Sequence, residues 1–220
     1  IPESFTDCLI KEIAQAGGVP LLKLASNRLN RSLKLHGSKE QWSLFADAEK
    51  VWMEKADCYI GLRGNHNVSE LSDVPEEKQR LNEEFYWGPV HQDIRVSKTR
   101  WVVLRWPTPS MAQLAGLSTE AFEDFYFSAC TLNYEKMHQA MIPLQKLMEK
   151  TDKVRLKGPG KTDLNFSIKG IPSIICSGEN NVPDGEVFTA PVKESVNGTI
   201  EFNTPTIYRG ETFENMTFHC

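Results

Sequence analysis

The sequence predicts an α/β fold: a parallel sheet flanked by helices in three layers, followed by the start of a β-rich second domain. Three observations predict it. Helical and strand-like patterns alternate with short connections from residue 4 to residue 106. A long helical stretch then runs to Lys150, and beyond residue 151 the apolar period drops to two amid dense Gly and Pro. Alternation of the first kind marks parallel strands covered by helices, while period-two runs between turn residues mark short antiparallel strands. The expected organisation is an amino-terminal α/β domain over 1–150 and the beginning of a β-rich domain over 151–220.

Residues 4–17 place Phe5, Cys8, Leu9, Ile13 and Ala16 at helical spacing, and Gly17-Gly18 ends the helix. VPLLKLA, 19–25, reads as a short apolar strand. Residues 39–55 are helical again, with Trp42, Phe45, Ala46, Trp52 and Met53 on one side. DCYIGLR, 57–63, is the second strand, a charged helix broken near Gly88-Pro89 covers 75–97, and RWVVLRW, 100–106, is the third strand. The three strands are expected to be parallel neighbours. After Pro107 and Pro109 comes a helix N-capped by Ser118, with Phe122, Phe125, Tyr126 and Ala129 on its buried side. From Tyr134 to Lys150 the stripe Tyr134, Met137, Met141, Leu144, Met148 recurs at three- and four-residue steps, with Pro143 inside it. Such a stripe serves as a packing face or as an adaptable Met-rich groove. Beyond it, Leu164, Phe166 and Ile168 share one strand face, as do Ile200 and Phe202.

Composition excludes several classes of function. A net charge of −4 offers no basic footprint for nucleic acid or an anionic membrane as the main partner. No apolar run approaches the length of a spanning helix. Five cysteines, Cys8, Cys58, Cys130, Cys176 and Cys220, are scattered singly, which favours reduced thiols and a cytoplasmic location. The sequons at Asn30, Asn67, Asn165, Asn197 and Asn215 are read as incidental, since no signal peptide is visible. The opening Ile1-Pro2 and the strand-like close ENMTFHC lead to the expectation of a portion of a longer protein.

Few motifs carry chemistry. GLRGNH, 61–66, lacks the full G-x-G-x-x-G spacing and reads as a loop. His36, His66, His91, His138 and His219 form no H-x-x-x-H or H-x-D pair. No G-x-S-x-G elbow is present. NNVPDGEVFTAP, 180–191, is the most informative stretch: Pro183-Asp184-Gly185 is turn chemistry, Val187 and Phe188 begin a strand, and Glu186 sits where they meet. A carboxylate at a turn–strand junction is well placed for a metal, but on spacing alone a lone Glu on a turn reads as a solvated surface residue.

The blocks GPGKTDLNFSIKG, NNVPDGEVFTAP, SVNGTIEFNTP and IYRG follow in order between Val154 and Gly210. In that order they resemble the thermophilic-type metallo-aminopeptidases, the aminopeptidase T and aminopeptidase S family. RWVVLRWPTPSMAQLAGLSTEAFEDFYFSA, 100–129, is similar to the family's amino-terminal domain, and the likeness loosens before residue 100. Lys161 departs from the pattern, standing between Gly160 and Thr162 where the family has glycine followed by threonine.

The resemblance implies an enzyme that releases amino-terminal residues from peptides by hydrolysis assisted by two divalent ions, zinc or cobalt, and a homodimer. It implies that Glu186 is a metal ligand. The family's other ligands, a second glutamate, two histidines and an aspartate of an H-x-D motif, are expected past Cys220, so the catalytic residues are expected there too. The family's first strand, ahead of the opening helix, is likewise missing from the pattern. Thr162 and Asp163 match a family signature, with a turn-stabilising role and a substrate contact both open. By itself the span of 220 residues is expected to be inactive. The alternative is a non-catalytic α/β ligand-binding or protein-interaction module.

Overall fold

Apolar spacing and capping explain most of the first elements. In the computed structural model, which describes residues 1–208 and 211–220, α1 spans Glu3–Gln15 and ends at Gly17, whose φ of +83° suits glycine. Next come α2 (Asn27–His36) and α3 (Lys39–Met53). The Ser38 hydroxyl accepts the Gln41 amide at 3.2 Å and so caps α3. Strand β1 (Cys58–Arg63) and strand β2 (Arg100–Arg105) pair in parallel, Cys58 opposite Arg100 and Arg63 opposite Arg105. Between them the chain runs through α4 (Glu76–Asn82) into a π-helix, Glu83–Val96. Pro89 has no N–H to donate, and a Cβ on Gly88 would stand 3.0 Å from the Glu83 carbonyl five residues back, so the wider turn accommodates both residues.

By its contacts the chain forms two units, Ile1–Phe125 and Tyr126–Cys220. In the first, Ala46 and Met53 of α3 meet Val90 and Ile94 of the π-helix, with Trp52, Tyr59 and Tyr86 packed around them. Phe5 of α1 stacks on Trp106, just past β2, at 4.9 Å between centroids. The unit continues through α5 (Pro109–Leu114) into α6 (Thr119–Cys130), within which the division falls. Ser118 caps α6 by accepting the Ala121 amide at 3.2 Å, as expected.

The second unit opens with the end of α6 and α7 (Tyr134–Lys150), capped by Asn133, whose Oδ1 accepts the Lys136 amide at 2.8 Å. Its strands are β3 (Lys153–Lys157), β4 (Asp163–Ser167), β5 (Ile174–Cys176), β6 (Asn181–Val182), β7 (Glu186–Phe188), β8 (Asn197–Glu201), β9 (Thr206–Tyr208), β10 (Glu211–Phe213) and β11 (Thr217–His219). Four form an antiparallel sheet in the order β11-β8-β4-β3. β5 pairs antiparallel with β7, and α7 packs against both. Leu164 and Ile168 are buried, as the period-two reading requires. The change from helix to strand falls between Lys150 and Lys153.

Three expectations need correction. VPLLKLA is not a strand: residues 18–26 carry no regular structure, and Val19 and Leu24 are 87% and 81% exposed. Only Val19 there is β-branched and Pro20 removes a donor, so the segment competes poorly for a ladder place. Residues 27–36, which the apolar period left unassigned, form α2, because the helix carries only Leu29, Leu33 and Leu35 to mark its face. Phe125 is 63% exposed, while Phe122 and Tyr126 are buried at the expected helical spacing.

Lys23 ties the irregular segment to the unit: its ammonium and the Tyr86 hydroxyl both donate to Glu49, whose side chain is only 6% exposed. His91 Nε2 faces the other Glu49 oxygen at 3.8 Å, and Arg95 Nε donates to His91 Nδ1 at 3.3 Å. Burial, outweighing the attraction of Glu49, pulls the His91 pKa from 6.5 down to about 4. The ring is therefore neutral at pH 7, with its proton on Nε2. Because the folded pKa lies below the unfolded one, the unfolded chain takes up more protons between pH 6.5 and 4. Stability is then fully present above about pH 6.5 and falls as the pH drops toward 4. We expect a loss on the order of 1–2 kcal/mol across that window, allowing for solvent screening. Melting curves should show it, and His91→Gln should flatten the slope.

Candidate metal centre

Glu186 opens β7 directly after Asp184-Gly185, and its Cα lies opposite that of Cys176 on β5. Three backbone features set the turn. Gly185 holds φ at +147°, and a Cβ there would come 3.2 Å from the Met137 sulfur of α7. The Asp184 carboxylate accepts the Gly178 amide at 3.1 Å and the Gly185 amide at 2.9 Å. The Asp184 amide in turn donates to the Tyr134 phenol oxygen at 3.3 Å. Glu186 itself is exposed and makes no side-chain hydrogen bond or ion pair among the described residues. An open cavity of about 450 Å3 is lined by Asn181, Pro183, Asp184, Gly185 and Glu186.

Beside it lies a second open cavity of about 260 Å3, bordered by Tyr134, His138, Ser177 and Glu179. His138 Nδ1 is 2.9 Å from the Ser177 hydroxyl, and that hydroxyl donates to Glu179 at 2.9 Å. A carboxylate has no proton to give, so the serine proton points at Glu179 and His138 donates its own. This order is the reverse of a serine activated by histidine, and it excludes a nucleophilic serine in this geometry. The Ser177 amide, with further hydrogen bonds, holds the Glu179 carboxyl below its usual range. Thirty-nine residues separate His138 from Ser177, so no local motif announces the cluster.

Thr162 and Asp163 have neighbours that account for them. The Thr162 hydroxyl accepts the Glu201 amide at 3.0 Å and donates to the Glu201 carbonyl at 3.3 Å. Asp163 is held by both arms of Arg155, at 2.8 and 2.7 Å. The Lys161 amide donates to the Glu201 carboxylate at 2.9 Å, which ties this loop to β8. In the first unit the GLRGNH loop is tied by its Asn65 carbonyl, which accepts the hydroxyls of Thr108 and Ser110 at 2.9 and 2.5 Å. Arg209 and Gly210 of IYRG lie outside the described residues.

A family profile described as thermophilic metalloprotease (M29) matches residues 2–220. The chain belongs to this metalloprotease family. Among solved structures, wild-type AmpT from Thermus thermophilus superimposes with a TM-score of 0.75 at 19% identity, covering 99% of this chain and 61% of that one. The mixed α/β architecture is therefore the one AmpT has, and this chain spans 61% of the AmpT chain's length. A 2,5-dihydroxypyridine dioxygenase from Pseudomonas putida KT2440 aligns over 74% of this chain and 59% of its own, at 13% identity and a TM-score of 0.35, too low to carry an argument. No curated protein sequence matches the chain.

A metalloprotease family implies a divalent ion, so the donors present can be tested against one. Among the described residues no group of three or more His, Cys, Asp or Glu side chains could hold a metal. Asp184 is occupied by two amides, and Glu186 is the uncommitted carboxylate of its cavity. One carboxylate oxygen pair falls short of the four or more donors a zinc site needs. The described residues of this chain alone do not fit a metal centre, and no reaction step is derived through one. Among the described residues no helix is long and apolar enough to cross a membrane.

Cys176 reports on this carboxylate-rich corner. Burial, and then the negative charges of Asp184, Glu186 and Glu179, push its thiol pKa up. Alkylation of Cys176 by iodoacetamide at pH 8 should run severalfold slower than that of exposed Cys8. Glu186→Gln should speed it, read by mass spectrometry of the labelled peptides.

Proposed function

We propose that this chain is the amino-terminal and central portion of a metal-dependent aminopeptidase. The complete enzyme releases amino-terminal residues from peptides with two divalent ions, zinc or cobalt, and Glu186 supplies one of their ligands. The observation that carries the reading is an uncommitted, exposed carboxylate on a braced turn, in a chain that belongs to a metalloprotease family over residues 2–220. The remaining donors come from polypeptide outside this chain, which is in keeping with its covering 61% of AmpT. In this reading residues 1–150 form an amino-terminal domain and 151–220 begin the domain that holds the metals. The natural assembly is a cytoplasmic homodimer acting on peptide chain ends, with neither nucleic acid nor membrane as partner. A single free carboxylate favours the rival reading, a binding module without catalysis, for the 220 residues taken alone.

Two outcomes test the proposal. In the natural full-length protein, Glu186→Gln keeps the fold, because an exposed side chain changes stability by no more than about 0.5 kcal/mol. It should nevertheless lower metal content, and turnover by orders of magnitude, since removing a negative ligand exposes the charge of a hard cation. Full metal occupancy with full activity would show that Glu186 is no ligand. The 220-residue chain alone should bind no pair of zinc ions and release no chromophore from an amino-acid anilide. Chelator-sensitive release by this chain would overturn the division of ligands.

A further inference from the structure

We propose that Tyr134 is the positioning residue for the Glu186 turn; its consequence for metal binding rests on the reading of Glu186 as a ligand. The Glu186 side chain has no partner to aim it, so its direction is set by the backbone through Asp184 and Gly185. That backbone hangs on the Tyr134 phenol, which receives the Asp184 amide at 3.3 Å. The phenol donates its own proton to the Ala129 carbonyl at 3.2 Å, so its lone pairs remain for the turn. The same ring closes on the other limb of the hairpin. A Cβ on Gly178 would stand 3.0 Å from Tyr134 Cδ1, and the Gly178 amide donates to Asp184 at 3.1 Å. One side chain thus touches both limbs, beyond the end of β5 and ahead of β7.

Its root is fixed as well. Tyr134 is the first residue of α7, directly after Asn133, whose side chain caps the helix and so limits fraying at this end. One turn further on, Met137 stands over Gly185 and closes the third side of the turn. Replacing the tyrosine with phenylalanine leaves the ring against Gly178 and removes only the oxygen shared by the Asp184 amide and Ala129. The turn should then open locally while α7 stays folded.

The test uses the natural full-length protein, unsubstituted and as Tyr134→Phe, with Mn2+ as the metal probe. Hydrogen exchange of the Asp184 amide should rise about tenfold in the variant, with α7 amides and the thermal midpoint unchanged. In NMR spectra, Mn2+ should broaden resonances around Glu186 in the unsubstituted chain, and Glu186→Gln should abolish the effect. In Tyr134→Phe the broadening at equal Mn2+ should fall severalfold. Unchanged protection at Asp184, or a uniform loss along α7 with a lower midpoint, would overturn the positioning role. So would undiminished Mn2+ broadening in the variant. If the unsubstituted chain shows no broadening that depends on Glu186, the ligand reading fails alone, and the Asp184 amide still decides whether Tyr134 holds the turn.

Discussion

The Asp184 carboxylate is the hinge on which the second unit's candidate site depends, because it accepts backbone amides from both limbs of one turn. Gly178, half-buried, and Gly185, exposed, both present N–H groups, and Asp184 accepts both. Without it, the connection between β5 and β7 would leave two donors unpaired, at a cost of about 1–3 kcal/mol each if water could not reach them. The result is a turn with the Gly178, Asp184 and Gly185 amides engaged, followed by the Glu186 side chain, which makes no hydrogen bond among the described residues.

The two units treat their charged groups in opposite ways. In the first, Glu49 is buried under Lys23 and Tyr86, and His91 is held neutral beside it. Arg95 lies over the rings of Tyr59 and Trp101 at 5.1 and 5.0 Å. Those groups are spent on one another, and they hold a π-helix and an irregular segment in place. In the second unit Glu186 lines one open cavity, and Glu179 and His138 border another. In the proposed reading the ligand-facing carboxylates lie in the second unit.

Much of this was legible before any coordinates. The pairing of β1 with β2, the cap at Ser118, the burial of Leu164 and Ile168, and the turn ahead of Glu186 follow from local spacing and turn chemistry. What was not legible depends on partners distant in sequence. VPLLKLA has the apolar run of a strand, yet a strand exists only where a neighbour offers a ladder, and periodicity carries no information about that. The π-helix contains Gly88 and Pro89, which read in sequence as a simple break. The meeting of His138 with Ser177, and of Tyr134 with Asp184, spans 39 and 50 residues. Only the packing of α7 on the hairpin brings them together.

In the proposed reading Glu186 holds a catalytic metal in the complete protein. Crystals of the natural gene product grown with zinc, with anomalous data collected at the zinc edge, test it most directly. The account predicts an anomalous peak about 2.0–2.2 Å from a Glu186 carboxylate oxygen, the distance of a zinc–carboxylate bond. Metal bound in full elsewhere, with Glu186 solvated and remote from it, would contradict it.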